Sequence, residues 1–421
     1  MQTDKSFYSR PVQSRLVSID VFRGLTMLLM LFVNDIGDID LGHIQNAPWW
    51  LKHMPGKIDG MTIADVIFPC FLFIVGMAIP MALEQRIAAG ESLFKISKNI
   101  VRRALALIFI GLCMVNSCHG YSNFDVAAMG MSGTVWRLLM FAGVIIFWSR
   151  YPGEPDTKRK LGVALRVMAA ILLVYLLVIF RVNQDGASIW LRPRWWGIIG
   201  VIGWAYLFSA FIWLLCRKWG FGLIGVFVLL VSMNIGLRYG MFGWWNTIVR
   251  AAHGWVPGLA GIVANVSMVV AGMTVALLYR HDSAATTPKS RIGWTLIFGL
   301  GFAVAGLLLR QPWGIHKNGG TPAWILFSMA ITCVVYVLLY WIVNVKKITR
   351  GTELIAQAGS NTLLMYMLPY IFYSVLALFG IDFLQTHLSE GWTGVARSAV
   401  IAMFLMTTTV LLTRKGVRLK V

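Results

Sequence analysis

The chain has 421 residues, of which 58% are hydrophobic and only 13% charged, with a formal net charge of +20 and a mean hydropathy of +0.72. A set of soluble domains is excluded, because apolar runs of about 18 to 22 residues, long enough to cross hydrocarbon as helices, follow one another with short polar loops between them. A nucleic-acid partner is excluded as the meaning of the positive charge, since the basic residues are dispersed between apolar runs and form neither a basic helix nor an RNA-binding motif.

In chain order, residues 1–16 read as a polar cytoplasmic segment. The apolar run after them is too long, and lacks the small-residue cleavage site, for a removable signal peptide. Spans are predicted at 17–35, 62–83, 103–118, 134–149, 162–180, 196–216, 219–237, 258–279, 293–309, 323–344, 360–380 and 397–413. The expected fold is therefore all-α, a polytopic integral membrane protein of about 12 (10–12) helices forming a single domain over 1–421. Of the Lys and Arg residues, 26 fall on the side shared by the N-terminus and the 414–421 tail and 11 on the other. The positive-inside rule then makes both termini cytoplasmic.

With that orientation the loop 36–61 faces outward, as do His43, His53, His119, His253, His316 and His387, leaving His281 cytoplasmic. Tryptophan pairs at 49–50, 195–196 and 244–245 lie in or beside outer loops. Indole rings favour that interface, and their faces also pack against pyranose rings. The five cysteines, at 70, 113, 118, 216 and 333, have no metal-ligand spacing and read as buried free thiols.

Ionisable groups inside a membrane are costly, which makes them functional candidates by default. Asp20 and Arg23 share a helical face at the cytoplasmic mouth of the first span, and Arg103 opens the third; all three are candidates for an anionic ligand entering from that side. Asn34 ends the first span and His53 follows in the loop, so a short fold-back is expected to pair amide and imidazole. A neutral imidazole accepts a proton near neutral pH, and an adjacent amide can hold its tautomer. Asp59, before Gly60, reads as a turn residue, and Asp65 as the acidic partner of Thr62 in a capping box. Arg137, near the outer end of the fourth span, is a candidate for a functional or ion-paired role, and Trp50, Asn318 and Asn361 are candidate substrate contacts. No GxSxG, HExxH, P-loop or metal cluster occurs.

The run RLVSIDVFRG, the FVN ending of the first span and the KH pair before DGMTIADVIFPCFLFIVG resemble the heparan-α-glucosaminide N-acetyltransferase family and its bacterial relatives. KNGGTPAW and GSNTLLMY fit more loosely. The resemblance implies transfer of an acetyl group from cytoplasmic acetyl-CoA to the amine of a terminal glucosamine across the membrane. It implies His53 as catalytic imidazole and Asn34 as its partner, with Arg23 and Arg103 toward the phosphates of CoA. The same analogy implies a cell inner membrane and allows a homodimer, and no metal is expected because no metal-ligand cluster occurs. The sequence departs from the family in the loop between His53 and the DGMT segment, in the uncharged HGWVPGLAG stretch, and in Met-Leu-Pro-Tyr after NTLLMY. The reading is a transmembrane acyltransferase whose partners are acetyl-CoA, an amino-sugar or glycan acceptor and membrane lipid. The alternative is a secondary transporter or flippase for a sugar or its conjugate, against which stands the absence of an internal repeat.

Overall fold

A computed structural model describes residues 16–38, 40–56, 58–118, 123–151, 156–219, 221–280, 283, 285–348 and 350–420. The expectations for the segment before Leu16, and for His119 and His281, lie outside them. The chain folds as α1 (Val17–Gly37), α2 (Ile63–Ala88), α3 (Leu93–Ser117), the one-turn α4 (Val126–Met129), α5 (Gly133–Trp148) and α6 (Asp156–Ile179). A hairpin follows, β1 (Val182–Gln184) and β2 (Ala187–Ile189), then α7 (Gly197–Cys216), α8 (Gly222–Arg238), α9 (Gly243–Ala251), α10 (Leu259–Leu277) and α11 (Pro288–Leu308). The last elements are α12 (Arg310–Trp313), α13 (Pro322–Tyr340), α14 (Thr352–Ala358), α15 (Thr362–Leu378), α16 (Phe383–His387) and α17 (Gly391–Arg414). Among the described residues ten helical segments are long and apolar enough to cross a membrane, or eleven counting α8 and α9, which meet at an 81° bend, as one broken span. The protein is an all-α polytopic membrane protein. Each predicted span falls on a helix, although α5, at 16 residues, is short.

The face of the bundle where α1 begins is called proximal below, and the face where it ends distal. Helix α2 packs chiefly against α10, and also against α1 and α13. Small residues permit the α2–α10 approach: a Cβ on Gly76 would lie 2.0 Å from the Val269 carbonyl oxygen, and one on Gly272 2.0 Å from that of Phe73. Close backbone approach is the main source of helix association where lipid removes the hydrophobic drive.

Two local departures from the sequence expectation have physical causes. Helix α3 starts at Leu93, ten residues before the predicted span, because the Ser92 hydroxyl accepts the Lys95 N–H at 3.3 Å and caps an amphipathic turn. Arg103 thus sits well inside a helix rather than at its start. The β1–β2 hairpin was unforeseen; Asp185 and Gly186 at its tip both have positive φ, 51° and 79°, the Asp-Gly signature of a tight hairpin turn.

Candidate active site

The N-terminus of α2 organises the distal face. Asp65, in its first turn and 1% exposed, accepts the Thr62 N–H at 3.0 Å, closing the capping box that the sequence predicts. The same carboxylate oxygen accepts the Met54 N–H at 3.0 Å, so the chain is folded back just before the helix. The other oxygen lies 2.8 Å from His53 Nδ1. A carboxylate there holds the neutral ring with its proton on Nδ1 and leaves Nε2 to accept. The His53 side chain is 47% exposed, so one edge of the imidazole stays open to a reactant. Behind Asp65, the Trp324 indole N–H donates to the Asp65 carbonyl at 3.2 Å and ties the turn to α13.

A third group enters from far along the chain. Lys317 Nζ stands 3.0 Å from His53 Nδ1, 3.1 Å from Nε2 and 3.9 Å from the Asp65 carboxylate. It is delivered by a latch: Asp59 accepts the Ile315 N–H at 2.7 Å and the Arg310 Nε–H at 3.1 Å, while the Gly60 N–H donates to the Ile315 carbonyl at 3.2 Å. The Ile315 N–H, and after it Arg310, hold the Asp59 carboxyl below its ordinary value. Burial pushes the Lys317 ammonium down to about 8, with the Asp65 charge acting the other way.

A second polar nest closes the distal end of α1. Asp35, 2% exposed, accepts the Tyr373 hydroxyl at 2.6 Å and the Ser398 hydroxyl, and pairs with Arg397 at 3.4 Å. Tyr370 donates to Asp38 at 3.0 Å, and Arg137 pairs with Asp40 at 3.6 Å. These bonds join α1 to α5, α15 and α17.

On the proximal side a cavity of about 410 Å³ opens between α1, α2, α3, α7 and the chain entering α15. Its polar lining includes Arg23, Arg103, Lys420, Ser360 and Asn361, and Met27, Phe71, Val75 and Leu107 line its apolar part. Arg103 stacks on the Tyr206 ring at 4.8 Å, and Asp20 lies 3.6 Å from Arg23. Lys420 is brought there by the C-terminal strand, whose backbone bonds run from Lys420 N–H to the Trp148 carbonyl and from Arg150 N–H to the Arg418 carbonyl.

Several expectations change against this geometry. His53 does not pair with Asn34: α1 continues to Gly37, the Asn34 carbonyl accepts the Asp38 N–H at 2.8 Å, and the Asp65 carboxylate is the partner beside the imidazole. Asn361 is occupied structurally, giving hydrogen bonds to Thr413 at 3.0 Å and to the Val417 carbonyl at 2.8 Å and accepting the Leu419 N–H at 3.3 Å. It lines the proximal cavity, so an acceptor on the distal face is out of its reach. Trp50 is 39% exposed and packs near Trp392, with ring centroids 6.5 Å apart. Asn318 is exposed beside Gly56, one residue past the lysine that reaches His53. Arg137 is the ion-paired residue of the two readings given for it. Asp65 performs more than a cap. Lys317, Asp35 and Arg397 were missed; a signal for the last was an arginine at the end of a span with no positive-inside reason to be there. Among the described residues no group of three or more His, Cys, Asp or Glu side chains could hold a metal ion.

Comparison with known proteins adds two findings. The profile of a family described as a domain of unknown function, DUF5009, matches residues 15–264. Two curated relatives, both named heparan-alpha-glucosaminide N-acetyltransferase, are similar over a shorter stretch. The mouse protein is 33% identical over 152 residues, covering 34% of this chain, and the human protein 36% identical over 113 residues, covering 26%. The matched stretches span only 21% and 16% of those relatives' own lengths.

Proposed function

We propose, from the premise that this chain belongs to the DUF5009 family, that it is a transmembrane acyltransferase moving an acetyl group from acetyl-CoA on the proximal side to the amine of an amino sugar on the distal side. The observation that carries this reading is the buried Asp65 carboxylate 2.8 Å from a half-exposed His53. The two relatives named as acetyltransferases support the reaction class. The proximal face is taken as cytoplasmic on the strength of the 26 to 11 division of Lys and Arg.

The residues suit the chemistry. A thioester is already activated, so the protein must position two reactants, remove a proton and support the developing oxyanion. His53 Nε2 takes the proton from the acceptor ammonium or amine, with Asp65 fixing the ring and offsetting its charge. The amine nitrogen bonds to the acyl carbon, the C–S bond breaks, and the CoA thiolate leaves and is protonated. Arg23, Arg103 and Lys420 at the polar part of the proximal cavity suit the phosphates of CoA, and the apolar remainder suits its pantetheine arm. Phe71, the cavity residue of α2 nearest its N-terminus, is six residues from Asp65, about 9 Å along the axis. The acyl end must therefore be carried past Phe71 to meet the imidazole.

The test is transfer of labelled acetyl from acetyl-CoA to glucosamine by detergent-purified protein, with His53→Ala beside it. The expected result is transfer by the native protein and a loss of at least about 100-fold in the variant. A folded native protein that neither binds acetyl-CoA nor transfers from it would sink the reading. The bend between α8 and α9 is the feature closest to a transporter's broken helix, but it is the one such pair among the described residues, whereas repeat-built transporters break helices in matching halves.

A further inference from the structure

We infer that Lys317 is itself an acyl-acceptor site: when no sugar amine is present, its neutral side chain takes the acyl group from the bound thioester, with His53 as the base, and the enzyme is blocked by its own product. The inference rests on the acyltransferase reading above and adds a covalent modification site to it.

The argument starts from position. Lys317 Nζ lies 3.0 Å from His53 Nδ1 and 3.1 Å from Nε2, against the ring, so a turn of its own flexible side chain brings the amine to the lone pair of Nε2. Lys317 is held there by backbone geometry, since Asp59 and Gly60 grip Ile315 from the His53 loop, and the His316 N–H donates to Thr321 Oγ1 at 3.0 Å at the start of α13. Its side chain remains 25% exposed, so an electrophile can reach Nζ. Effective concentrations of well-placed intramolecular groups are high enough to compete with a dissolved acceptor.

Protonation is the restraint. An ammonium is no nucleophile, and the charged groups around Nζ decide how long it stays one. Asp65 on α2 favours the cation at 3.9 Å, and His53 stands beside it in the loop. Asp59, Arg310 and His316 belong to the latch, and Arg238 from α8 hydrogen-bonds the Gly319 carbonyl two residues away. Desolvation wins and brings Lys317 to about 8. About one-tenth of the side chains are then neutral at pH 7 and about nine-tenths at pH 9. The balance of the step is complete with the thioester as sole co-reactant: a C–N bond forms at Nζ, the C–S bond breaks, the proton passes through His53 Nε2, and the thiolate leaves and accepts it.

The experiment is peptide mass spectrometry of the full-length protein in detergent after incubation with acetyl-CoA alone at pH 7 and pH 9, with Lys52 in the same loop as internal reference. The proposal expects acetyl-Lys317 to form at least about 10-fold faster than acetyl-Lys52 and to rise about tenfold between the two pH values. It also expects acetyl-Lys317 to fall about 10-fold or more in His53→Ala, and glucosamine to suppress it. Parallel transfer assays separate the two ideas. If glucosamine is acetylated while Lys317 stays unmodified, or is modified no faster than Lys52, the inference is wrong and the acyltransferase reading stands. If acetyl-CoA is neither bound nor consumed, both fall.

Discussion

Replacing Asp65 by Asn tests the site most sharply, because the two residues are nearly isosteric and the geometry dictates how the amide must turn. One carboxylate oxygen receives two backbone N–H groups, from Met54 and Thr62, each at 3.0 Å. An amide nitrogen there would face two donors, so the amide keeps its oxygen in that place and presents its NH2 to His53 Nδ1. The imidazole must then carry its proton on Nε2, and the nitrogen that should accept from the substrate becomes a donor. Loss of a positioned base costs about 10² to 10⁴ in rate, or about 3 to 5 kcal/mol of transition-state stabilisation. Stability should fall less, because both backbone bonds survive; the loss of charge at the helix N-terminus and toward His53 costs about 1 to 2 kcal/mol. The assay is kcat at saturating acetyl-CoA and glucosamine, paired with thermal unfolding. An Asp65→Asn protein whose kcat stays within about twofold of the native value would refute the assignment of Asp65 as the group that sets the His53 tautomer.

Other perturbations separate the remaining parts of the molecule. Arg23→Gln and Arg103→Gln should each raise KM for acetyl-CoA about tenfold or more, the worth of one charge-assisted hydrogen bond, with little change in kcat; an unchanged KM removes the residue from the donor site. Arg397→Ala should lower stability by about 3 to 5 kcal/mol, because Asp35, 3% exposed at its side chain, is left charged and buried; thermal unfolding reads it, and a drop below about 1 kcal/mol would mean the pair carries no weight there. Between pH 8 and 10 the native protein should gain stability relative to Lys317→Met. A lysine whose folded value is lowered from 10.5 to about 8 binds fewer protons folded than unfolded in that window, so stability rises with pH there. A flat difference across the window argues against the burial. A cysteine at Pro55 should react with an impermeant maleimide in outer-membrane-permeabilised cells, because all five native cysteines are buried and silent; labelling from the cytoplasmic side alone would reverse the orientation.

The helices could be read from the sequence because burial in lipid demands long apolar runs, and nothing else in this chain imitates one. What the sequence could not place were contacts between polar groups distant in the chain. Lys317 and His53 are 264 residues apart, and the hydropathy of KNGGTPAW gives no hint that its lysine, rather than its asparagine, turns inward. Asp65 was visible as a helix cap because that bond is local; its grip on His53 depends on a loop whose path is fixed by Met54 and by the latch at Ile315. The expected pairing of Asn34 with His53 is not formed: α1 runs on to Gly37, and the partner that the imidazole finds is Asp65. The hydrogen bonds of Asn361 were equally out of sight, since they run to Val417 and Leu419 near the other end of the chain.

The surroundings of the two buried carboxylates are the reason the proposed chemistry is placed at α2 and not at the more polar end of α1. Asp35 at the distal end of α1 is enclosed by Tyr373, Ser398 and Arg397, so its charge is spent on holding α1 against α15 and α17. Asp65 has the better electrostatic setting for a working carboxylate: a helix N-terminus, two backbone N–H groups on one oxygen, and a second oxygen directed at an imidazole open to the distal face. That setting is also rigid. The start of α2 is tied to α13 twice, by the Trp324 indole at the Asp65 carbonyl and by Cys70 against Thr332 at 3.1 Å, and the loop before α13 carries Lys317 back to the same point. One helix pair therefore fixes the base, the carboxylate that orients it and the amine beside it. The proximal cavity proposed for the donor reaches the same α2 further along, at Phe71 and Val75. On the proposed reading α2 therefore links the two ends of the reaction, with Asp65 in its first turn and Phe71 and Val75 lining the donor cavity further along it.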